Sequence, residues 1–135
     1  MARYGSEASG FSVELNGSLL LLRGWGFWDA EVAAQLVPGV LSLCPALAIR
    51  PLRLVCDFGQ LKPQDDGGQQ ALTRLLGALS QRGVNGAAIQ VTNTITRMQL
   101  KSITKELPRI RWVYIGTQRM ETDQMLSQLE QEERK

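Results

Sequence analysis

The sequence has 135 residues, of which 44% are hydrophobic, 21% are charged and 6% are aromatic, with a formal net charge of +2 and no histidine. This length and apolar content are typical of one globular domain with a single core, and the near balance of charge argues against a dedicated nucleic-acid-binding or polybasic membrane protein. Because histidine is the commonest general base and a common metal ligand, its absence excludes His-based triads and most zinc hydrolase sites.

The chain opens with residues 1–10, a small and polar stretch without the apolar segment of a signal peptide, which we expect to be a flexible tail. Residues 11–15 alternate apolar and polar side chains with the period of a strand. Asn16-Gly17 then favours a two-residue turn, and a leucine run over residues 18–23 continues the chain. The sequence therefore predicts an opening β-hairpin.

Three aromatic side chains, Trp25, Phe27 and Trp28, follow the hairpin in a glycine-containing turn. Such groups predict a core plug beneath the next helix, and the alternative is an exposed patch for a partner or for self-association. Asp29 is the predicted N-cap of the first helix. Pro38 interrupts the apolar pattern of that helix and predicts a kink or break just before it.

Strands and helices alternate in the rest of the chain. A dense apolar run over residues 52–58 predicts a central strand. The further elements are a helix over 69–81, a strand over 86–92, a helix over 95–107, a strand over 110–115 and a last helix from about Met120. The helix over 95–107 is predicted to be capped by Asn93 or Thr94. Its predicted apolar side consists of Ile95, Met98, Ile103 and Leu107. Pro45 and Pro108 are predicted to end the first and third helices.

The predicted element order is ββαβαβαβα. It indicates a single α/β domain over residues 1–135, with a mixed sheet of four to five strands that is parallel in its later part and carries about four helices. Residues 130–135 are charged or Gln and are expected to be a second flexible tail. Cys44 and Cys56 lack CxxC spacing and are predicted to be small buried hydrophobes, which is typical of a reducing compartment and predicts a cytoplasmic protein.

The segment that follows the central strand resembles a known motif. Asp57 ends the strand, and eight residues later Asp65-Asp66-Gly67-Gly68 leads into a helix. In STAS domains (sulphate transporter and anti-sigma factor antagonist), an Asp or Asn at the strand end is followed at the same interval by Asp-Ser-Ser-Gly. Asp66 and Gly67 stand at the two serine positions, and the element order along almost the whole chain also resembles this family.

The resemblance implies a non-catalytic regulatory domain that binds a protein partner, such as an anti-sigma factor, a kinase-like protein or a component of a transport assembly. The implied contact is the loop of Asp65, Asp66, Gly67 and Gly68, with the turn of Thr92, Asn93 and Thr94 beside it. Phosphorylation of the second serine switches binding off in the antagonists of the family. Gly67 has no hydroxyl group, so the serine switch is not carried over. Family members often pair through their opening strands and first helix, so the resemblance also implies a homodimer. It implies no cofactor and no metal.

The residues alone leave alternatives open at this loop. Asp65 or Asp66 is interpreted as a helix N-cap, with Gly67 and Gly68 as a permissive turn. The alternative is that the free N–H groups of the helix start bind an anion or a partner backbone, although the two carboxylates would repel phosphate. A small-molecule or lipid-binding domain is a second functional hypothesis, and an enzyme using Asp65 and Asp66 is a third.

Arg97, Lys101 and Lys105 recur every four residues and form a basic stripe on the third helix. The stripe is interpreted as a solvated helix face. The alternative is a docking stripe for an acidic partner or an anionic membrane surface, so that membrane association would be indirect at most. Nucleic-acid stacking is not favoured, because Arg23 is the one basic residue near the aromatic turn.

Overall fold

A computed structural model of the chain describes residues 1–44, 51–107 and 109–135. Pro45 and Pro108, which were predicted to end helices, lie outside the described residues. The strands are β1 (Ala2–Gly5), β2 (Gly10–Asn16), β3 (Leu19–Gly26), β4 (Leu52–Leu61), β5 (Val84–Val91) and β6 (Trp112–Gly116). The helices are α1 (Ala30–Leu41), α2 (Asp66–Gln81), α3 (Thr94–Lys105) and α4 (Thr122–Glu133).

All six strands form one sheet in the order β1-β2-β3-β4-β5-β6. β1, β2 and β3 pair antiparallel, and β3, β4, β5 and β6 pair parallel. The predicted α/β class, opening hairpin, mixed sheet and four helices are therefore confirmed. The predicted number of four to five strands is wrong, because residues 2–5 form an additional strand at the sheet edge.

Both predicted tails need correction. Residues 2–5 pair with β2, from Ala2 opposite Val13 to Gly5 opposite Gly10, so the first ten residues are not a free tail. At the other end, α4 continues to Glu133, whose Oε2 lies 2.8 Å from Nη2 of Arg53 in β4. Backbone pairing and this ion pair order two segments that look mobile by composition alone.

The helices divide between the two faces of the sheet. α1, α2 and α3 pack on one face over the main core, and α4 packs on the other face over a smaller apolar cluster. This division follows from strand alternation, since Leu54 and Cys56 of β4 point into the main core while Val55 between them contacts the cluster under α4. None of the helices in the described ranges is long and apolar enough to cross a membrane.

The three aromatic residues after the hairpin have different environments. Trp28 is fully buried and donates its indole N–H to the Gly10 carbonyl oxygen at 2.8 Å, which confirms the predicted core plug for this residue. Trp25 is also buried, with the Arg3 guanidinium 4.7 Å from its ring centroid. Phe27 is exposed, so the prediction of burial in the core is wrong for this residue.

α1 continues through Pro38 to Leu41, so the predicted break does not occur. Leu36 and Val40, on the two sides of the proline, are fully buried, and this packing holds both halves of the helix in the core. Gly39 is next to the proline and presents its backbone to Tyr4, where a Cβ would lie 2.9 Å from the ring. Tertiary packing therefore overrides the local preference of proline.

Candidate functional site

The candidate site lies where three neighbouring strands end. β3, β4 and β5 run parallel, so their carboxyl ends meet at one edge of the sheet. Three loops follow there, residues 27–29 before α1, residues 62–65 before α2 and residues 92–93 before α3. In open α/β sheets, binding sites are commonly built at this edge. We call these three loops the carboxyl-edge loops.

A buried glutamine holds two of these loops together. Gln64 is 4% exposed. Its Oε1 accepts a hydrogen bond from the Trp28 backbone N–H at 3.0 Å, and its Nε2 donates to the Gly26 carbonyl at 3.1 Å and to the Lys62 carbonyl at 2.7 Å. Since Gly26 and Trp28 are the neighbours of Phe27, Gln64 fixes the backbone on both sides of this exposed side chain.

The backbone of Gln64 also ties the loop to two helices. Gln99 of α3 accepts a hydrogen bond from the Gln64 N–H at 3.0 Å and donates one to its carbonyl at 2.9 Å. Gln69 of α2 donates to the same carbonyl at 3.1 Å. The starts of α2 and α3 and the loop before α1 therefore share one polar network. Sequence reasoning missed this role, because a glutamine in a loop carries no pattern that predicts burial.

The loop of residues 65–68 begins α2. Asp65 is the N-cap, and its Oδ1 accepts a hydrogen bond from the Gly68 N–H at 2.9 Å, so the N-cap interpretation holds for this residue. Asp66 and Gly67 are exposed in the first turn. Gly68 is buried against Gln64, and a Cβ at this position would lie 2.7 Å from Gln64 Oε1. Gly68 is therefore required for close approach, while Gly67 remains at the surface.

We expect Asp65→Ala to lower the free energy of unfolding by about 1 kcal/mol, because it removes the cap of α2. Urea denaturation measures this change. The matched control is Asp66→Ala, whose side chain lies in the same turn and is exposed. The free energy of unfolding of this control should fall by a few tenths of a kcal/mol at most, because Asp66 contributes only a weak interaction with the helix dipole. An equal loss in the two variants would contradict the assignment of the cap.

The turn before α3 is fixed in a similar way. Asn93 is the N-cap, and its Oδ1 accepts hydrogen bonds from the N–H groups of Ile95 at 2.9 Å and Thr96 at 3.1 Å. Thr92 donates its hydroxyl to the Gly59 carbonyl at 2.6 Å and so joins this turn to β4. Thr92, Asn93 and Thr94 are nevertheless all exposed. The turn is thus an accessible surface whose backbone is fixed by hydrogen bonds.

Three large apolar side chains are exposed on the carboxyl-edge loops and the α3 start, Phe27 at 46%, Ile95 at 58% and Met98 at 64%. The prediction that Ile95 and Met98 lie on the apolar side of α3 is wrong. The buried face of α3 instead consists of Thr96, Leu100, Ile103 and Thr104. We call Phe27, Ile95 and Met98 the apolar trio.

Threonines enter the buried face of α3 because their hydroxyl groups are satisfied within the protein. The Thr96 hydroxyl donates to the Leu61 carbonyl at 3.3 Å, and the Thr104 hydroxyl donates to the Leu100 carbonyl at 2.9 Å. Such bonds remove most of the cost of burying a polar group. The helix therefore presents Ile95 and Met98 to solvent.

The predicted basic stripe occupies a different part of the surface. Lys101 and Lys105 are exposed and Arg97 is half-buried on the side of α3 that adjoins β6. The stripe is therefore not brought into the carboxyl-edge loops, although it starts on the same helix.

The two cysteines have thiol groups whose pKa is raised by burial. Burial raises the pKa of the Cys56 thiol far above its ordinary value, and the Asp57 carboxylate raises it further, so the thiol stays protonated at neutral pH. Burial also raises the pKa of Cys44, and the Arg82 guanidinium partly opposes this effect. Both cysteines are buried as predicted. Within the described part of the chain, no group of three or more Cys, Asp or Glu side chains is placed to hold a metal ion.

Comparison with solved structures identifies the fold. A protein of the DUF3478 family with a SpoIIAA-like fold, from Shewanella loihica PV-4, is 14% identical and superposes with a TM-score of 0.67 over 93% of this chain and 98% of its own. An anti-sigma factor antagonist from Mycobacterium paratuberculosis is 18% identical, with a TM-score of 0.59 over 93% of this chain and 97% of its own. The STAS-type fold predicted from the resemblance is therefore confirmed. No family model and no curated protein sequence matches the chain.

Proposed function

We propose that the chain is a cytoplasmic, non-catalytic regulatory domain that binds a protein partner at the carboxyl edge of its sheet. The binding surface comprises the apolar trio together with the exposed residues of 65–68 and 92–94. The observation that carries the proposal is the exposure of Phe27, Ile95 and Met98 on segments that Gln64 and Gln99 hold in place. Apolar anchors within a polar rim, presented on a fixed backbone, are typical of protein–protein interfaces.

The comparisons support the kind of partner. The neighbour from Mycobacterium paratuberculosis is described as an anti-sigma factor antagonist, so we propose an anti-sigma factor or a related kinase-like protein as the partner. Gly67, which the resemblance matches to the serine that is phosphorylated in such antagonists, is exposed. We propose that binding here is not switched by phosphorylation of this position, because glycine offers no hydroxyl group.

The geometry favours this function over the two alternatives. A pocket for a small molecule or lipid encloses most of the ligand surface, whereas the apolar trio is exposed. In an enzyme that uses Asp65 and Asp66 for proton transfer, Asp65 would have to act while its Oδ1 also accepts the cap hydrogen bond of α2. A protein partner requires neither an enclosed cavity nor an unoccupied carboxylate.

We predict that Ile95→Asp and Met98→Asp each abolish or weaken partner binding by at least about tenfold, because each places a charge in an apolar interface. The immobilised chain is used to recover partners from cells of the source organism, and the affinity of the recovered protein is then measured for each variant. The matched control is Gln81→Asp, which adds the same charge at an exposed position at the far end of α2. It should bind as the natural chain does.

Two results would contradict the proposal. One is a recovered protein whose affinity is unchanged in the Ile95 and Met98 variants. The other is equal weakening by Gln81→Asp, which would indicate a general effect of charge. Measurement of molecular mass for the same variants distinguishes self-association at this surface from the expected homodimer, which pairs through the opening strands and the first helix and should persist in both variants. If Met98→Asp converts a dimer to a monomer, the partner at this surface is a second copy of the chain.

A further inference from the structure

The strand β6 forms one edge of the sheet. Its five residues, Trp112–Gly116, are all partly exposed. On one side β6 pairs with β5, and none of the strands in the described ranges lies on its other side. The outward N–H and C=O groups of an edge strand are a ready template for one more strand, and many proteins bind extended peptides in this way.

A groove with two kinds of wall runs beside this edge. It has a volume of about 300 Å³ and is lined by Val113 and Ile115 of β6 and by Arg97, Lys101, Thr104 and Lys105 of α3. Val113 and Ile115 are the alternate residues of β6 that face α3 and the main core. Trp112 and Tyr114, between and beside them, face α4. The groove therefore combines a strand edge, an apolar floor and the basic stripe.

The positive charge of the groove is not neutralised by the described residues. Residues 94–119 contain six basic side chains and one acidic side chain, Glu106. In the described ranges, none of the ion pairs involves Arg97, Lys101 or Lys105, and the buried Nε of Arg97 has no hydrogen-bond partner.

The acidic helix α4 does not supply the missing charge. Glu130 and Glu133 of this helix lie 3.5 and 2.8 Å from the Arg53 guanidinium, under the opposite face of the sheet. These two glutamates are therefore already paired with Arg53 and do not occupy the groove. A complementary charge for the groove therefore comes from outside the described residues.

We propose that β6 and the basic stripe bind an extended acidic segment of a partner protein, which adds to the sheet as a seventh strand. Side chains of an added strand alternate between the two faces of the sheet. Those on the α3 side meet Lys101, Lys105 and Arg97, which selects Glu or Asp at every second position. Those on the other side lie next to Trp112 and Tyr114, which selects apolar residues between the acids. This surface is separate from the carboxyl edge and does not depend on the function proposed there.

The test uses a fluorescent peptide of alternating Glu and Val, titrated with the whole chain and followed by anisotropy. We expect binding at low ionic strength that weakens as salt is added, because the charges at this surface are partly exposed. Lys101→Glu combined with Lys105→Glu should weaken binding by at least about tenfold. Arg74→Glu, which makes the same type of charge reversal at an exposed position on α2, should leave the affinity unchanged.

A second peptide separates strand addition from simple charge attraction. It has the same sequence with every backbone amide N-methylated, so that it keeps its charge but has no N–H group to donate to an edge strand. Loss of binding by this peptide supports the proposal. Equal binding of the two peptides, an unchanged affinity in the double lysine variant, or binding to phosphatidylserine vesicles without binding to the peptide would each overturn it.

Discussion

Replacement of Gln64 with alanine is expected to lower the free energy of unfolding by about 3 kcal/mol, since it removes three side-chain hydrogen bonds, one of them to the buried Trp28 N–H. The groups affected are the Trp28 N–H and the carbonyls of Gly26 and Lys62. The Gly26 carbonyl keeps its hydrogen bond from the Lys62 N–H at 3.1 Å, so the main cost falls on the buried Trp28 N–H. Urea denaturation of the purified variant measures the loss.

The matched control for this prediction is Gln70→Ala. Gln70 is exposed on α2 and makes none of the side-chain hydrogen bonds of the network, so we expect a change within about 0.5 kcal/mol. The variant Gln64→Ala should also weaken partner binding, because the loop around Phe27 is no longer held. A loss of stability for Gln64→Ala no larger than that of the control would show that the network does not hold the loops.

Gly68→Ala is expected to lower the free energy of unfolding by about 2 kcal/mol, a typical cost of forcing an extra methyl group into a packed site. The added Cβ would lie 2.7 Å from Oε1 and 2.8 Å from Cβ of Gln64. Since the contact with Cβ cannot be relieved by rotating the Gln64 side chain, the start of α2 or the loop itself must shift. Thermal or urea denaturation records this cost.

The neighbouring Gly67 provides a control, because the same substitution there should change the free energy of unfolding in the opposite direction. At Gly67 a Cβ meets nothing closer than Asp65 Oδ1 at 3.5 Å, which is an ordinary contact. Because alanine is a better helix former than glycine, Gly67→Ala should raise the free energy of unfolding by about 0.5 kcal/mol. The opposite order of the two variants would contradict the packing of Gly68 on Gln64.

The parts of the fold that depend on interactions between residues close together in the chain can be predicted from the sequence. The hairpin at Asn16-Gly17 and the caps Asp29, Asp65 and Asn93 depend on residues within a few positions of one another, and the structure confirms them. The additional strand β1 depends instead on pairing with β2 across a loop. Its sequence, Ala-Arg-Tyr-Gly, is too short to show a strand period, so composition suggests a tail.

In the candidate site too, local sequence patterns predicted some residues, and contacts between distant residues determine the others. The residues of 65–68 and 92–94 were found through a motif and a strand-end argument, both of which depend on the order of elements. The exposure of Ile95 and Met98 was not predicted, because hydrophobic pattern assigns apolar residues to the buried side of a helix. Thr96 and Thr104 take those inner positions through hydrogen bonds to carbonyl groups, one of them in β4, and periodicity contains no information about such bonds.

Gln64 was missed for a related reason. Its partners come from the end of β3, from the loop before α1, from α2 and from α3, and the furthest, Gly26, lies 38 positions away along the chain. A polar residue with that many distant partners is visible only once the strands and helices are assembled. Buried polar networks of this kind specify how loops are held, and here the loop before α1 and the start of α3 carry the exposed apolar trio.

The central claim is that the carboxyl edge of the sheet is a protein-binding surface, and site-specific photo-crosslinking in living cells tests it most directly. A photoreactive amino acid is placed at Ile95 in one variant and at Gln81, at the far end of α2, in another. We predict a covalent adduct with a protein partner from position 95 and none from position 81. Adducts from position 81 alone, or the same adducts from both positions, would contradict the claim.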